Sequence, residues 1–192
     1  MLTRSYHLRD AEVGGDGRSL ILACVPFDTA AMVDDGRGPY REVFRHGAFT
    51  HLVDAARRVE LRYAHHQDGP PYGYGLDLIE DPGYLLGRFR VAPSAHGDQV
   101  LALVNDGQLS GVSIGYIAGQ SNDTSDADGP LVERVRVKRL AEVSLVPVGT
   151  SSYDEAQVLA VRAHVEDAPD PLLLARARAR AAWDVQKLRM VR

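Results

Sequence analysis

Three segments carry residues whose types and spacing fit hydrolytic chemistry. In Ser110-Gly111-Val112-Ser113-Ile114-Gly115-Tyr116 the side chains alternate. Val112, Ile114 and Tyr116 point one way along a strand, and Gly111, Ser113 and Gly115 the other. Ser113 is therefore a hydroxyl on a face otherwise stripped to glycine. Glycine weakens a strand interior and often marks the close approach of another backbone, such as a peptide laid alongside. Gly111 and Gly115 are candidate substrate contacts on that ground. The same pattern also fits a bulge or a tight strand crossing with Ser113 as filler. His65 and His66 end a strand and open a loop. Histidine exchanges protons near neutral pH, and strand alternation lets only one of the two face a given site. Two surface histidines are the plain alternative. A metal site using His65, His66 and Asp68 is another, although adjacent histidines share one ion poorly and no HExxH spacing exists. In Leu140-Ala141-Glu142-Val143-Ser144-Leu145-Val146, Glu142 and Ser144 share one face of an apolar strand. A carboxylate there is costly unless paired. It can orient a histidine, as the acid of a triad does, or pair with an arginine of the preceding strand, or face water. Together the three segments supply a nucleophile, a base and an orienting acid from separate parts of the chain.

The elements that must position these residues are mostly strands. Residues 1–18 read as a polar lead-in with a Gly-Gly-Asp-Gly turn, and Ser19 to Phe27 as a strand. Residues 34–39 form a loop. Thr50 is a candidate N-cap for a helix with Leu52, Val53, Ala55 and Ala56 as its apolar positions. Val59 to Tyr63 is a strand, Gln67 to Gly75 a loop, and Leu76–Ile79 with Tyr84–Val91 a hairpin around Asp81-Pro82-Gly83. Ser94 caps a helix to Asp106, stopped by Gly107. Leu109 to Ala118 is a strand, and Gly119 to Pro130 reads as a mobile acidic loop. Strands follow at Leu131–Lys138 and Leu140–Val146. Thr150-Ser151-Ser152 then starts a helix to about His164. Beyond Ala168-Pro169-Asp170-Pro171 comes an Ala/Arg-rich helix. The pattern predicts an α+β domain over residues 1–164, a strand-dominated barrel or curved sheet with a few helices, and a basic helical tail over 165–192.

Composition narrows the function. The 192 residues are 45% hydrophobic and 25% charged, an ordinary globular balance. One cysteine, Cys24, excludes an internal disulfide framework and reads as a small buried hydrophobe, with a catalytic thiol as the lesser alternative. No secretory signal or membrane span is visible, so a soluble protein made in a cytoplasm is expected. The net charge is −4, yet residues 171–192 hold six basic residues and one acid. An acidic body with a basic end suggests a tail with its own partner. An acidic body also disfavours nucleic-acid binding.

At the three segments above, and at a fourth, the chain resembles the prohead maturation proteases of tailed bacteriophages, related in fold to the herpesvirus assemblin proteases. Arg41-Glu42-Val43-Phe44-Arg45-His46-Gly47-Ala48-Phe49 is similar to that family's N-terminal element. Leu61-Arg62-Tyr63-Ala64-His65, with Tyr72-Gly73 beyond it, resembles the strand ending in the catalytic histidine. Leu109 to Tyr116 resembles the nucleophile block, and Leu140 to Pro147 the strand with the acid. The resemblance spans about Arg41 to Ser152. It departs where the family places Asp or Asn after its histidine and this chain has His66. The resemblance implies a serine endopeptidase with Ser113 as nucleophile, His65 as general base and Glu142 orienting it, without cofactor or metal. Backbone amides near Arg139 are candidate oxyanion donors. It implies substrates in the immature capsid: scaffold segments, the N-terminal part of the major capsid protein, and the protease itself. Action inside the procapsid in the host cytoplasm and a homodimer by analogy are further expectations, as is a tail that docks on scaffold or capsid and is later self-cleaved. A catalytically inactive assembly protein of the same fold is the alternative.

Overall fold

A computed structural model of the protein describes residues 2–6, 17–36, 38–147, 150 and 158–162, with only the backbone of 2–6 and 158–162. Ten strands form one sheet among these residues. They are β1 Leu2–Tyr6, β2 Ser19–Pro26, β3 Ala30–Val33, β4 Tyr40–Phe44, β5 Glu60–Tyr63, β6 Gly73–Glu80, β7 Tyr84–Val91, β8 Leu109–Asp126, β9 Gly129–Pro147 and β10 Val158–Arg162. A 3-10 helix covers Thr50–Arg58 and one α-helix, α1, covers Ala95–Asn105. The sheet order is β1-β8-β9-β5-β6-β7-β2-β10, with β3 on β4 and β4 on β9. β2 also approaches β8, so the sheet curls toward a half-barrel. This is the strand-dominated architecture with few helices that the sequence pattern implies.

The curl encloses the apolar face. Leu20, Leu22, Phe44, Phe49, Leu61, Phe89, Ile114, Tyr116, Val143 and Leu145 belong to one buried cluster. Phe44 packs against Phe49 and Tyr116 with ring centroids 5.6 and 5.2 Å apart. Such aromatic contacts add to the stabilisation from burial alone. One buried carboxylate borders this core. Glu42 accepts from the Tyr116 hydroxyl at 2.6 Å and from Arg134 Nε at 2.8 Å. That pairing lets an acid sit at zero exposure.

Several local expectations hold. Ser94 Oγ accepts from the Gly97 amide at 3.1 Å, and Gly107 leaves α1 at φ +77. The β6–β7 hairpin turns at Asp81-Pro82-Gly83, and Phe27 N–H donates to Gly83 O across its end.

Others are corrected. Thr50 does not cap its helix: Phe49 occupies the cap position, its amide donates to Glu80 Oε1 at 2.8 Å, and the Thr50 hydroxyl bonds the same carboxylate. Gly73 to Gly75 is strand rather than loop, paired with β5 and β7, and a side chain at Gly73 would strike the Arg90 carbonyl, 1.9 Å away. Residues 119–130 are not a loop. β8 and β9 pair through to Asp126 and Gly129, and only Ala127 and Asp128 turn between them. The polar sequence hides this ribbon, since residues 119–128 are exposed or nearly so and leave no apolar alternation. The separate strands at Leu131–Lys138 and Leu140–Val146 are one strand, β9, carried past a bulge. Val158–Arg162, expected as helix, is a strand paired with β2. β1, β3 and β4 were not foreseen. The remainder of the expected 150–164 helix and the Ala/Arg-rich tail lie outside the described residues.

Candidate active site

The polar face of the sheet gathers Ser113, Glu142, Ser144 and Arg62 from three adjacent strands. β8 and β9 place Ser113 opposite Ser144 and Gly115 opposite Glu142. β5, parallel to β9, places Glu60 opposite Glu142 and Arg62 opposite Ser144. Partners across a sheet share a face, so these side chains share one surface. Ser113 and Ser144 have no exposure and Glu142 has 1%.

β5 ends by delivering the imidazole. Ala64 and His65 adopt left-handed backbone, φ +46 and +61, a conformation that costs non-glycine residues about 1–3 kcal/mol each. The neighbouring strand β9 holds it. The Ala64 amide donates to Leu145 O at 2.9 Å, and the His65 amide to Ser144 Oγ at 3.2 Å. Arg62 clasps the following loop, donating to His66 O at 3.1 Å and Gly69 O at 2.9 Å while its Nε binds Glu60. The turn lays His65 Nδ1 2.6 Å from Glu142 Oε1. A carboxylate only accepts, so Nδ1 carries the proton and Nε2 is left as the accepting nitrogen. Glu142 Oε2 accepts from Gln67 Nε2 at 3.0 Å, fixing the other half of the carboxylate.

Two atoms on this surface are buried without a hydrogen-bond partner: His65 Nε2 and Ser113 Oγ. Buried polar atoms are nearly always paired, so unpaired ones call for a reason. The structure brings His65 and Glu142 into direct contact. It sets Ser113 one strand over, beside the Ser144 that binds the His65 backbone, with no hydrogen bond between Ser113 and His65.

Other candidates fall elsewhere. His66 is exposed and meets the Tyr63 ring edge-on, centroids 5.4 Å apart, away from Glu142. Among the described residues no three His, Cys, Asp or Glu cluster as metal ligands. Cys24 is wholly buried. Burial pushes its thiol well above the ordinary range, as expected of an inert core residue. Gly115 has a reason the alternation did not reveal. A Cβ there would lie 2.6 Å from Glu142 Cγ and 2.7 Å from Oε1, so the missing side chain is the space Glu142 occupies. Gly111 is buried and in register with Val146. Arg139 is exposed on β9 opposite Ile117, and both line a cleft of about 360 Å³ with Glu60, Arg62, Gln67 and Glu142. Sequence reasoning passed over Gln67, for which no pattern gave a signal, and saw Ser144 only as Glu142's neighbour on the strand.

The curled sheet thus carries a histidine–carboxylate contact with a buried serine on the adjoining strand. The profile of the caudovirus prohead serine protease family matches residues 22–171. The chain belongs to that family and is a serine protease of phage head maturation. Among solved structures it is similar to the bacteriophage T4 capsid assembly protease, gp21. The identity is 15% and the TM-score 0.39, over 67% of this chain and 96% of that one. No curated protein matches the chain. No helix among the described residues is long and apolar enough to cross a membrane.

Proposed function

We propose that the chain cleaves peptide bonds with a Ser113–His65–Glu142 triad. His65 Nε2 takes the proton of Ser113 as Oγ attacks a peptide carbonyl. The tetrahedral adduct collapses to an acyl-enzyme, and His65 gives that proton to the leaving amine. Water, deprotonated by the same nitrogen, then releases the acyl group and restores Ser113. Glu142 keeps Nδ1 protonated and stabilises the imidazolium formed at each step. The observation that carries this reading is the 2.6 Å contact between His65 and Glu142 beside Ser113, with His65 Nε2 and Ser113 Oγ both buried and unpaired. Amides near Arg139 are candidates to receive the oxyanion.

The substrates under this reading are scaffold segments, the N-terminal part of the major capsid protein and the protease itself, cut inside the immature capsid in the host cytoplasm. A protease domain of residues 1–164 works with a basic tail, 165–192, that docks on acidic scaffold or capsid segments, and the protease self-associates as a dimer or larger assembly. The test is co-expression of wild type or Ser113→Ala with the neighbouring capsid protein, read by intact mass. Fragments seen only with wild type are expected. Cleavage that survives Ser113→Ala would overturn the nucleophile assignment. Normal head assembly with Ser113→Ala would instead favour a non-catalytic assembly role.

A further inference from the structure

The strand that bears Ser113 has two edges, and only one belongs to the body of the sheet. β9 pairs along one edge of β8. Along the other lies β1, antiparallel, with Leu2 opposite Tyr116, Thr3 opposite Gly115, Arg4 opposite Ile114, Ser5 opposite Ser113 and Tyr6 opposite Val112. β1 stands at the end of the strand order, so β8 is its only strand neighbour among the described residues.

We propose that this outer edge of β8 is where an extended peptide substrate pairs, and that the chain's own residues Leu2–Tyr6 hold it as a resident strand that substrate must displace. The inference rests on Ser113 being the nucleophile. Its support is position. Opposing residues in an antiparallel pair lie about 4.5–5.5 Å apart, so a backbone in the place of β1 passes within reach of a serine side chain at the pairing position. The five paired residues of β8, Val112–Tyr116, are centred one position from Ser113. A bare sheet edge is a template for any extended segment, and peptide recognition by strand addition uses that template. A strand of five residues, joined to the sheet along one edge, is the kind of element that detaches without global unfolding.

The test uses the full chain. Thr3→Pro/Ser5→Pro removes two amide donors from β1 and disfavours its pairing. A second variant deletes residues 2–6. Wild type, both variants and Ser113→Ala are exposed to a fluorophosphonate, and the labelling rate of Ser113 is read by mass spectrometry. Because an occupied edge scales the rate by the undocked fraction, both variants should label about tenfold faster than wild type. A synthetic peptide of residues 1–8 should return the deletion variant to the wild-type rate. Equal or slower labelling in the two β1 variants, or a collapse of Tm in both, would overturn the resident-strand reading, and no labelling of wild type or of either β1 variant would overturn the nucleophile assignment. Labelling that persists at the same rate in Ser113→Ala would likewise overturn the nucleophile assignment.

Discussion

Replacing Gly115 by alanine tests the site through a residue with no chemistry of its own. The added methyl would stand 2.6 Å from Glu142 Cγ and 2.7 Å from Oε1. Restoring ordinary contact near 3.5 Å requires Glu142 to retreat by about 1 Å. β8 has little freedom to yield instead, since it is paired with β9 along its length from Leu109 to Asp126. The His65–Glu142 contact is 2.6 Å, and the same retreat takes it to about 3.6 Å, beyond a hydrogen bond. Misplacing a catalytic group by about 1 Å costs about 10²-fold, and losing the orienting acid outright about 10⁴-fold. Gly115→Ala should therefore lower kcat between about 10²- and 10⁴-fold with KM little changed, a barrier increase of about 3–5 kcal/mol. The assay is cleavage of the partner capsid protein, with Tm measured alongside. Overpacking should also destabilise the fold by about 1–3 kcal/mol. A double variant, Gly115→Ala/Glu142→Ala, separates the causes. It should recover stability relative to Gly115→Ala and be no slower than Glu142→Ala alone, because the two changes act through one contact. Activity of Gly115→Ala within threefold of wild type would refute the reasoning.

The other predictions concern what supports the site and the core. Ser144→Ala removes the acceptor that holds the His65 amide and should lower kcat about fivefold, in line with loss of one hydrogen bond at about 1 kcal/mol. Unchanged kinetics would show that the left-handed turn stands without it. Glu42→Ala leaves Arg134 and the Tyr116 hydroxyl facing a vacated buried position. It should cost about 3–5 kcal/mol of stability in denaturant titration, and a loss under 1 kcal/mol would contradict the pairing. Cys24 is buried and its thiol pushed upward, so iodoacetamide at pH 8 should leave the native protein unmodified and active. Rapid alkylation with loss of activity would reopen a thiol mechanism.

What could be read from the chain alone was whatever depends on local pattern. Alternation over 110–116 and 140–146 assigned faces to Ser113, Glu142 and Ser144, and the structure puts all three on one polar surface. Ser94 and Gly107 bounded α1 because capping is a matter of adjacent residues. The outer part of β8, residues 119–126, escaped, since a strand exposed on both sides leaves no hydrophobic period to detect. β1 and β10 escaped because each exists through the edge it pairs with, β8 or β2, and not through its own composition.

Tertiary structure decided the rest at contacts remote in sequence. Alternation could not choose between His65 and His66, since the strand geometry it assumes ends at Tyr63. The choice comes from Ser144, 79 residues away, which holds the His65 amide in a left-handed turn and swings one ring onto Glu142 while the other meets Tyr63. Gly115 likewise read as room for a substrate until Glu142 filled that room from the next strand. A residue's type and spacing determine which chemistry it can perform. Which groups meet depends on strand register and on the backbone conformations that long-range hydrogen bonds make affordable, and neither is written in any local stretch of the chain.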